Sequence, residues 1–437
     1  MRRKLLEAAL PVLLLVCVQE KLVYSQYATQ GKTILPRTLG VSGNFFPLFQ
    51  ANTPVIRPDG SIKRVDPFYQ YLELNAASPE HHIFFNTFLR GREILNGEEE
   101  SFDVYNAFVQ YNNISNAFEI RVGRQIITES TNFYLLDGGL VRVRPVDGIQ
   151  IVAYGGYQDK DIQPEPERPL ESFGLFGIKL KSDKLLDSLI SIGYELLDPN
   201  DFSPRHILNF SFNRVVPFTK SADIYSLAEV DIGEGNLALL TVGTGITLHK
   251  SLYLNLEYDN YKPDEDRDEF LIDPIFDTFS VTRLQEARVG VTYIPTNYLK
   301  VSSTYSYARY DVLDDESTNG NIAKLGFSWD LWRQVGLRAF QGFYFMNGRP
   351  DNWAFGLNFG ASEEIFKGLD LEFSFAYAHF ETISNIDGDA FSYIMGTEYL
   401  VIRDLALKAE VEINTNPIFE DDVRVNLGLS YYFTRSL

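Results

Sequence analysis

The chain has 437 residues, of which 45% are hydrophobic, and its formal charge is −20 at pH 7. This length supplies enough apolar material for a large core, and the acidic balance disfavours nucleic acid as a partner, because phosphate binding needs a basic surface. The charge does not exclude a membrane, since insertion depends on where the charged residues lie along the chain.

Residues 1–25 have the composition of a secretory signal peptide. A basic start at residues 2–4 precedes a short apolar run at residues 10–18, and a small residue stands before the expected cleavage site at Gln26. The run is shorter than the roughly 20 residues that a membrane-spanning helix needs. The only cysteine, Cys17, lies in this segment, so we expect a mature chain without disulfides.

From about residue 38 onward, apolar residues alternate with polar or small ones at a period of two. In residues 368–381, the odd positions from Leu369 to Tyr377 are apolar, and the even positions from Asp370 to Ala378 are charged or small. This pattern predicts strands with one apolar and one polar face, because successive side chains of a strand point to opposite faces. The same alternation recurs in residues 251–261, 287–293, 323–331, 352–360, 405–414 and 423–433.

Short turns alternate with longer polar connections between these segments. Counting about ten short turns predicts about 22 strands, within a range of about 18 to 22, in one domain. The longer connections are residues 97–101, 158–169, 262–277 and 311–321.

A soluble β-sandwich would also give each strand one apolar face. The polar faces here are rich in glycine and small residues, however, and the strand number exceeds what one sandwich normally holds. Aromatic residues also end many apolar faces, as in the girdles that anchor barrels at membrane interfaces. These residues are Tyr258, Tyr293, Tyr305, Tyr307, Tyr377, Tyr431 and Phe433. The sequence therefore predicts an all-β, antiparallel, up-and-down transmembrane β-barrel.

The last predicted strand contains Asn426, Gly428, Tyr431 and Phe433. A polar residue, a glycine and two aromatics in this spacing resemble the C-terminal assembly signal of Gram-negative outer-membrane β-barrel proteins, although further residues follow Phe433. The segment 120–145 contains GRQ and then DG, which is similar to a segment of porin-like barrels.

The resemblance implies a barrel over residues 26–437 in the cell outer membrane. It also implies membrane lipids, lipopolysaccharide and the outer-membrane assembly machinery as partners. No motif for catalysis or metal binding is recognisable, so we expect a protein that is not an enzyme and needs no cofactor or metal. We expect an interfacial structural role for His379, and a solvated loop at residues 264–269, with weak divalent bridging to lipopolysaccharide as the alternative.

Charged residues on the predicted polar faces are candidates for the lining of a pore. Basic residues collect on the early strands and acids on the late ones, and opposed charges would create a field across a narrow bore. The alternative is a structural ladder of ion pairs along the wall. Residues 125–138 and 262–277 are candidates for an inturned loop that narrows the bore. The candidate lining residues are Arg90, Glu119, Arg121, Arg142, Arg144, Asp370, Glu372, Glu398, Glu410 and Glu412.

The favoured interpretation is a porin-like channel for passive diffusion of small hydrophilic solutes. One alternative is an exporter of an anionic polysaccharide, for which an arginine-lined bore would be suitable. The other is a non-conducting structural or adhesive barrel.

The acidic connections should face the cell exterior, because the last strand of such a barrel ends in the periplasm. Trypsin added to intact cells is expected to cut at Arg267 before it reaches any short turn, as mapped by mass spectrometry of the fragments. Cleavage only after the outer membrane has been opened would reverse this topology.

Overall fold

The computed structural model describes residues 40–56, 62–97, 100–113, 115, 117–129, 134–158, 173–198, 204–216, 221–262, 283–311, 317–332, 337–347, 353–381, 387–415 and 422–436. This part of the chain is almost entirely β-strand, with one short 3-10 turn at Leu185–Asp187. Among the described residues, no helix has the length and apolar character needed to cross a bilayer. The predicted signal peptide lies outside these ranges.

The first twelve strands are β1 (Gly40–Ala51), β2 (Thr53–Ile56), β3 (Ile62–Val65), β4 (Pro67–Ser78), β5 (Ile83–Ile94), β6 (Glu100–Asn112), β7 (Phe118–Ile127), β8 (Tyr134–Val146), β9 (Ile149–Gln158), β10 (Phe173–Ser182), β11 (Leu189–Asp198) and β12 (Arg205–Val215). The remaining strands are β13 (Ala222–Asp231), β14 (Asn236–His249), β15 (Leu252–Tyr261), β16 (Arg283–Thr296), β17 (Leu299–Asp311), β18 (Ser317–Trp332), β19 (Leu337–Asn347), β20 (Trp353–Phe366), β21 (Leu369–Glu381), β22 (Asp387–Ile402), β23 (Leu405–Thr415) and β24 (Asp422–Ser436).

Strand β1 and strands β4 to β24 form one 22-stranded antiparallel sheet, and each strand pairs with its neighbours in chain order. The sheet closes because β1 pairs with β24 on one side and with β4 on the other. Strands β2 and β3 form a separate two-stranded ribbon between β1 and β4. The predicted up-and-down barrel of about 22 strands is confirmed.

The two ends of the barrel differ in the length of their connections. One end, the turn end, has tight links such as Asp147–Gly148 between β8 and β9 and Arg403–Asp404 between β22 and β23. The other end, the loop end, has the long links, including residues 159–172 and 263–282, which lie outside the described residues. The alternation of short turns and long connections predicted from the sequence is therefore present.

The closing seam uses the residues that follow the C-terminal aromatic pair. In the register of β1 with β24, Phe45 lies opposite Tyr431, and the pairing continues through Thr434 and Arg435 to Gly40 opposite Ser436. The residues beyond Phe433 thus extend the last strand and pair with the first. They lengthen the seam that closes the ring.

The two faces of the sheet have opposite chemistry. Apolar residues such as Leu256, Val289 and Leu427 are 38 to 48% exposed on the outer face, whereas their sequence neighbours point inward. An apolar belt of this extent is stable only when lipid covers it. Of the seven aromatics expected at the membrane interface, five are exposed on this face: Tyr258, Tyr293, Tyr305, Tyr307 and Tyr431. Tyr377 and Phe433 are half-buried. Tyr305 lies opposite Val289 in the middle of its strand, so it is not interfacial.

Near the loop end of the outer face, His379 lies beside Trp353, with 5.0 Å between the ring centroids, and its Nδ1 is 3.0 Å from a carboxylate oxygen of Asp389. These contacts with an aromatic ring and a neighbouring strand match the interfacial structural role expected for this histidine.

Several inner-face glycines lie beneath aromatic rings of the adjacent strand. A Cβ atom on Gly243 would be 2.2 Å from Cζ of Tyr225, and one on Gly356 would be 2.2 Å from Cε1 of Tyr344. Because glycine has no side chain, these rings can lie against the wall and keep clear of the bore. This accounts for glycines such as Gly243 and Gly356 on the polar faces.

Val289 occupies the middle of β16 on the lipid-facing side, and Thr304, on neighbouring β17, faces the lumen. Val289→Arg is expected to destabilise the barrel by about 2–4 kcal/mol, because a charge near the bilayer midplane loses its hydration. Thr304→Arg should cost far less. Urea titration of the two variants in lipid vesicles measures the difference, and equal costs would contradict the assignment of faces.

Candidate functional site

The hairpin between β7 and β8 does not continue straight beyond the wall. Ile127 lies opposite Tyr134 in this hairpin. Eight extended residues, a span of about 26 Å, separate Tyr134 from Arg142 on β8. Nevertheless, Oε1 of Glu129 is 2.6 Å from Nη2 of Arg142. Residues 124–129 and 134–137, called here the hairpin tip, therefore fold back over the wall.

A row of glycines permits this bend. Gly123 lies opposite Gly138, and Gly138 lies opposite Gly156 on β9. Gly123 has φ of 125°, a conformation open mainly to glycine. Cβ atoms at Gly138 and Gly156 would be 2.2 and 2.3 Å from backbone oxygens of the adjacent strand. Side chains in this row would force the strands apart at the bend.

The hairpin tip covers the inner face, because the residues beneath it alternate with the exposed apolar residues of the lipid face. Ile127 and Leu136 of the tip are 1% and 0% exposed. They belong to a compact apolar cluster with wall residues of β8 to β12. Its members are Ile127, Tyr134, Leu136, Leu140, Val152, Tyr154, Leu175, Leu197 and Ile207.

Glu129 anchors the tip to the wall through three cationic side chains. Its carboxylate accepts hydrogen bonds from Arg142 and Lys181, and its backbone oxygen accepts one from Lys179. Burial opposes ionisation of this carboxylate, but the hydrogen bonds and charges of Lys181 and Arg142 outweigh it and hold the pKa of Glu129 below its ordinary value. The described part of residues 125–138 thus forms the inturned segment expected there, whereas residues 263–277 of the other candidate lie outside the described residues.

The predicted basic residues on the early strands all have inner-face partners. Arg90 pairs with Asp103 at 2.7 Å. Glu119, only 5% exposed, lies 2.8 Å from Arg121 and 2.6 Å from Arg142, so it brings those two arginines together. When the side-chain amide of Gln150 is oriented with its oxygen towards Arg144, this oxygen accepts a hydrogen bond from Nη2 of Arg144 at 3.3 Å. These contacts favour the structural ladder for the arginines.

The predicted acidic residues lie on the inner face of β21 to β23. Glu398 pairs with Lys408 at 2.7 Å, and Glu410 accepts a hydrogen bond from Asn426 at 2.9 Å. Asp370 lies opposite Glu398 in the register of β21 with β22. The other two predicted acids are Glu372, opposite Gly396, and Glu412, which is 3.7 Å from Arg424.

These acids and the basic cluster around Glu129 face each other across the lumen near the turn end. Strands β9 and β22, in the middle of the two sectors, are nine strand steps apart in one direction around the 22-stranded ring and 13 in the other. The two sectors therefore lie on nearly opposite walls. Their excess charges have opposite sign, because Lys179 and Lys181 add to the basic side.

The features together are those of one class of membrane protein: an even number of antiparallel strands, short turns at one end, an apolar outer belt with interfacial aromatics, and a polar interior. The protein is a transmembrane β-barrel. Its outer belt has the apolar surface that contact with membrane lipid requires.

Comparison with known proteins agrees with this fold. The barrel is similar to a FrpB iron transporter from Neisseria meningitidis (F5-1 variant), with a TM-score of 0.53, 10% identity and coverage of 91% of this chain and 83% of that one. Weaker similarity links it to OccK3 (OpdO) of Pseudomonas aeruginosa, with a TM-score of 0.42, 12% identity and coverage of 93% and 99%. OccAB2 of Acinetobacter baumannii gives a TM-score of 0.43, 13% identity and coverage of 91% and 98%. No family model and no curated protein matches the sequence.

Several charged side chains on the inner face are not among the predicted lining residues. Lys179 and Lys181 alternate with exposed apolar residues of β10, a signal that could have identified them. On β15 and β16, Arg288 pairs with Glu257 and, at 2.9 Å, with Glu286. Within the described residues, no group of three or more potential metal ligands is found.

Glu129→Gln is expected to weaken the docking of the hairpin tip by about 2 kcal/mol, because the partly solvated cations beneath it lose their counter-charge. Backbone amides in residues 124–129 should then exchange hydrogen roughly tenfold faster or more, as measured by mass spectrometry. In the unmodified protein the anchor should be complete at neutral pH and be lost only as the pH falls below the ordinary carboxylate range. Glu381→Gln, on the outer face, is the control, and equal exchange in both variants would refute the anchor.

Proposed function

We propose that the barrel is a channel through which small hydrophilic solutes cross the outer membrane by passive diffusion, and that it catalyses no reaction. The observation that carries the proposal is the inner wall, where charged and polar side chains occur on strands around the whole ring. Such a wall keeps water in the lumen, and a solute that exchanges hydrogen bonds with water can exchange them with the wall.

The strand number makes the hairpin tip important for this function. Twenty-two strands spaced about 4.8 Å apart and tilted by about 40° enclose a backbone circle roughly 40 Å across. A bore of that width would pass large molecules unless something narrowed it. The hairpin tip supports a narrower path, because it fills the space in front of β8 to β12 and is fixed there by the anchor at Glu129.

The charges beside the tip would favour polar solutes. Basic groups around Glu129 and acids on β21 to β23 would set a field across the remaining path, which orders water and aligns dipolar molecules. Screening over about 8 Å at physiological salt confines this effect to the narrowed zone. We propose that the acids of β21 to β23, together with the excess positive charge that Lys179 and Lys181 add to the opposite wall, are the selectivity element.

The two alternatives have less support from the inner wall. An exporter of an anionic polysaccharide would need unpaired arginines, whereas Arg90, Arg121 and Arg142 each pair with a carboxylate. A purely structural barrel would be expected to fill its lumen, whereas the apolar cluster of the described residues occupies only the sector from β7 to β12.

We further propose that the turn end faces the periplasm and the loop end faces the exterior. This orientation would bring the last strand to the assembly machinery and the loop end to lipopolysaccharide.

Replacing Glu372 and Glu410 with glutamine is expected to shift the reversal potential towards anion preference under a salt gradient in planar bilayers. The reason is that two negative charges leave the narrowed path. The matched control replaces Glu381 with glutamine and Asp389 with asparagine, which removes the same charge from the outer face and should leave the potential unchanged. Absence of channels in the wild-type protein would disprove the proposed function.

A further inference from the structure

The lumen wall formed by β1, β4, β5 and β6 has an unusual run of aromatic rings. Adjacent centroids are 5.2 to 6.0 Å apart, and the planes of adjacent rings differ by at most 30°. The rings, called here the aromatic track, are Phe46, Tyr69, Tyr71, Phe88 and Tyr105.

Three observations place the track on the inner face. Phe46 lies against the position of Gly428, on the same side as the lumenal residues of β24. Tyr71 lies opposite Arg90, and Arg90 lies opposite Asp103. The intervening positions of β5, such as Phe85, are exposed on the lipid face. The track is therefore a lumenal feature, distinct from the aromatics at the membrane interface.

A β-bulge directs one ring of the track. Phe88 pairs with Asn106 and Leu89 with Val104, so Tyr105 is the extra residue between them. A bulge redirects a side chain that regular alternation would place on the other face. The bulge brings Tyr105 within 5.2 Å of Phe88 and puts its ring beneath the guanidinium of Arg90.

The charged pair beside the rings limits which solute the track could bind. Arg90 stacks over Tyr69 at 5.8 Å and over Tyr105 at 5.2 Å, and it is 2.7 Å from Asp103. An anion would be repelled by Asp103, and a cation would be repelled by Arg90. Hydroxyl groups can accept from the guanidinium and donate to the carboxylate, so neutral polyhydroxylated solutes can use both groups.

A second pair extends the same arrangement towards the turn end. The guanidinium of Arg121 lies 5.6 Å from the ring centroid of Phe108, and Nε of Arg121 is 2.8 Å from Glu119. An aromatic face beside an arginine–carboxylate pair thus occurs at two heights on neighbouring strands. This repetition suits a solute of several linked units better than one small ring.

We propose that the aromatic track is a binding path for neutral oligosaccharides, whose C–H faces stack on the rings while their hydroxyls bond to Arg90, Asp103 and Arg121. The inference deepens the proposed function, since it names the solute class of the same lumen. The rings lie on β1, β4, β5 and β6, whereas the hairpin tip covers β8 to β12. The second pair adjoins the anchor of the tip, because Glu119 also contacts Arg142.

The first test is calorimetric titration of maltotriose into the detergent-solubilised barrel. Tyr71→Leu with Phe88→Leu keeps apolar volume but removes two ring faces, so the dissociation constant should rise roughly tenfold. The control is Phe340→Leu with Tyr344→Leu on β19, outside the track, which should leave the constant within about twofold. Two results would disprove sugar binding by the track. One is that the wild-type protein does not bind maltotriose, and the other is that the Tyr71→Leu, Phe88→Leu variant binds it as tightly as wild type does.

A second double variant tests the same proposal if the first one does not fold. Arg90→Gln with Asp103→Asn leaves all rings in place and should also weaken maltotriose binding. Wild-type protein should bind maltotriose more tightly than a trisaccharide of uronic acids or one of protonated amino sugars. A preference for either charged sugar would overturn the argument from the arginine–carboxylate pair.

Bilayer recordings separate this inference from the proposed function. If the channel conducts and maltotriose blocks the current more than polyethylene glycol of equal size does, both are supported. Conductance without sugar binding would disprove only the binding path on the aromatic track. Sugar binding without conductance would disprove only the proposed diffusion channel.

Discussion

Satisfying the backbone in lipid is the constraint on which the whole structure depends. An unpaired N–H or C=O group in hydrocarbon costs several kcal/mol, so a sheet can cross the bilayer only when its first and last strands pair. Here that requirement is met at the seam of β1 and β24, which continues from Ala51 opposite Val425 to Gly40 opposite Ser436. Closure then fixes the strand order, and the strand order fixes which charges can meet across the lumen.

A closed ring of 22 strands encloses a wide lumen, which passes small solutes selectively only if part of the chain narrows it. The chain narrows the lumen with part of its own wall, because the hairpin of β7 and β8 bends at the row of glycines beginning with Gly123 and packs inward. The bend buries apolar side chains that would otherwise contact lumen water, including Leu136 and Val152. Glu129 adds a charged anchor over the cations of β8 and β10. Burial of apolar side chains stabilises the docked hairpin tip, and the ion pairs of Glu129 determine its position on the wall.

The lumen is divided into sectors of different chemistry. The sector from β1 to β7 presents aromatic rings with arginine–carboxylate pairs, the sector from β8 to β12 is covered by the hairpin tip, and the late strands present acids. Glycine opposite an aromatic ring, as at Gly243 and Tyr225, lets large side chains lie against the wall. The wall can therefore carry bulky residues without closing the path.

The sequence by itself determined the architecture. A strand in a membrane barrel has lipid on one side and water on the other, so the alternation of apolar and polar residues identifies its two faces. The lengths of the connections distinguish the two ends of the barrel. The same alternation placed Arg90, Arg121, Glu372 and Glu410 on the inner face. Tertiary structure alone decided which of these charges meet, because Glu119 shares two arginines only when β7 and β8 are in register. It also decided that the hairpin tip turns inward, since the anchor joins Glu129 to Lys181 on a different hairpin, and no local pattern encodes a contact so distant in the chain.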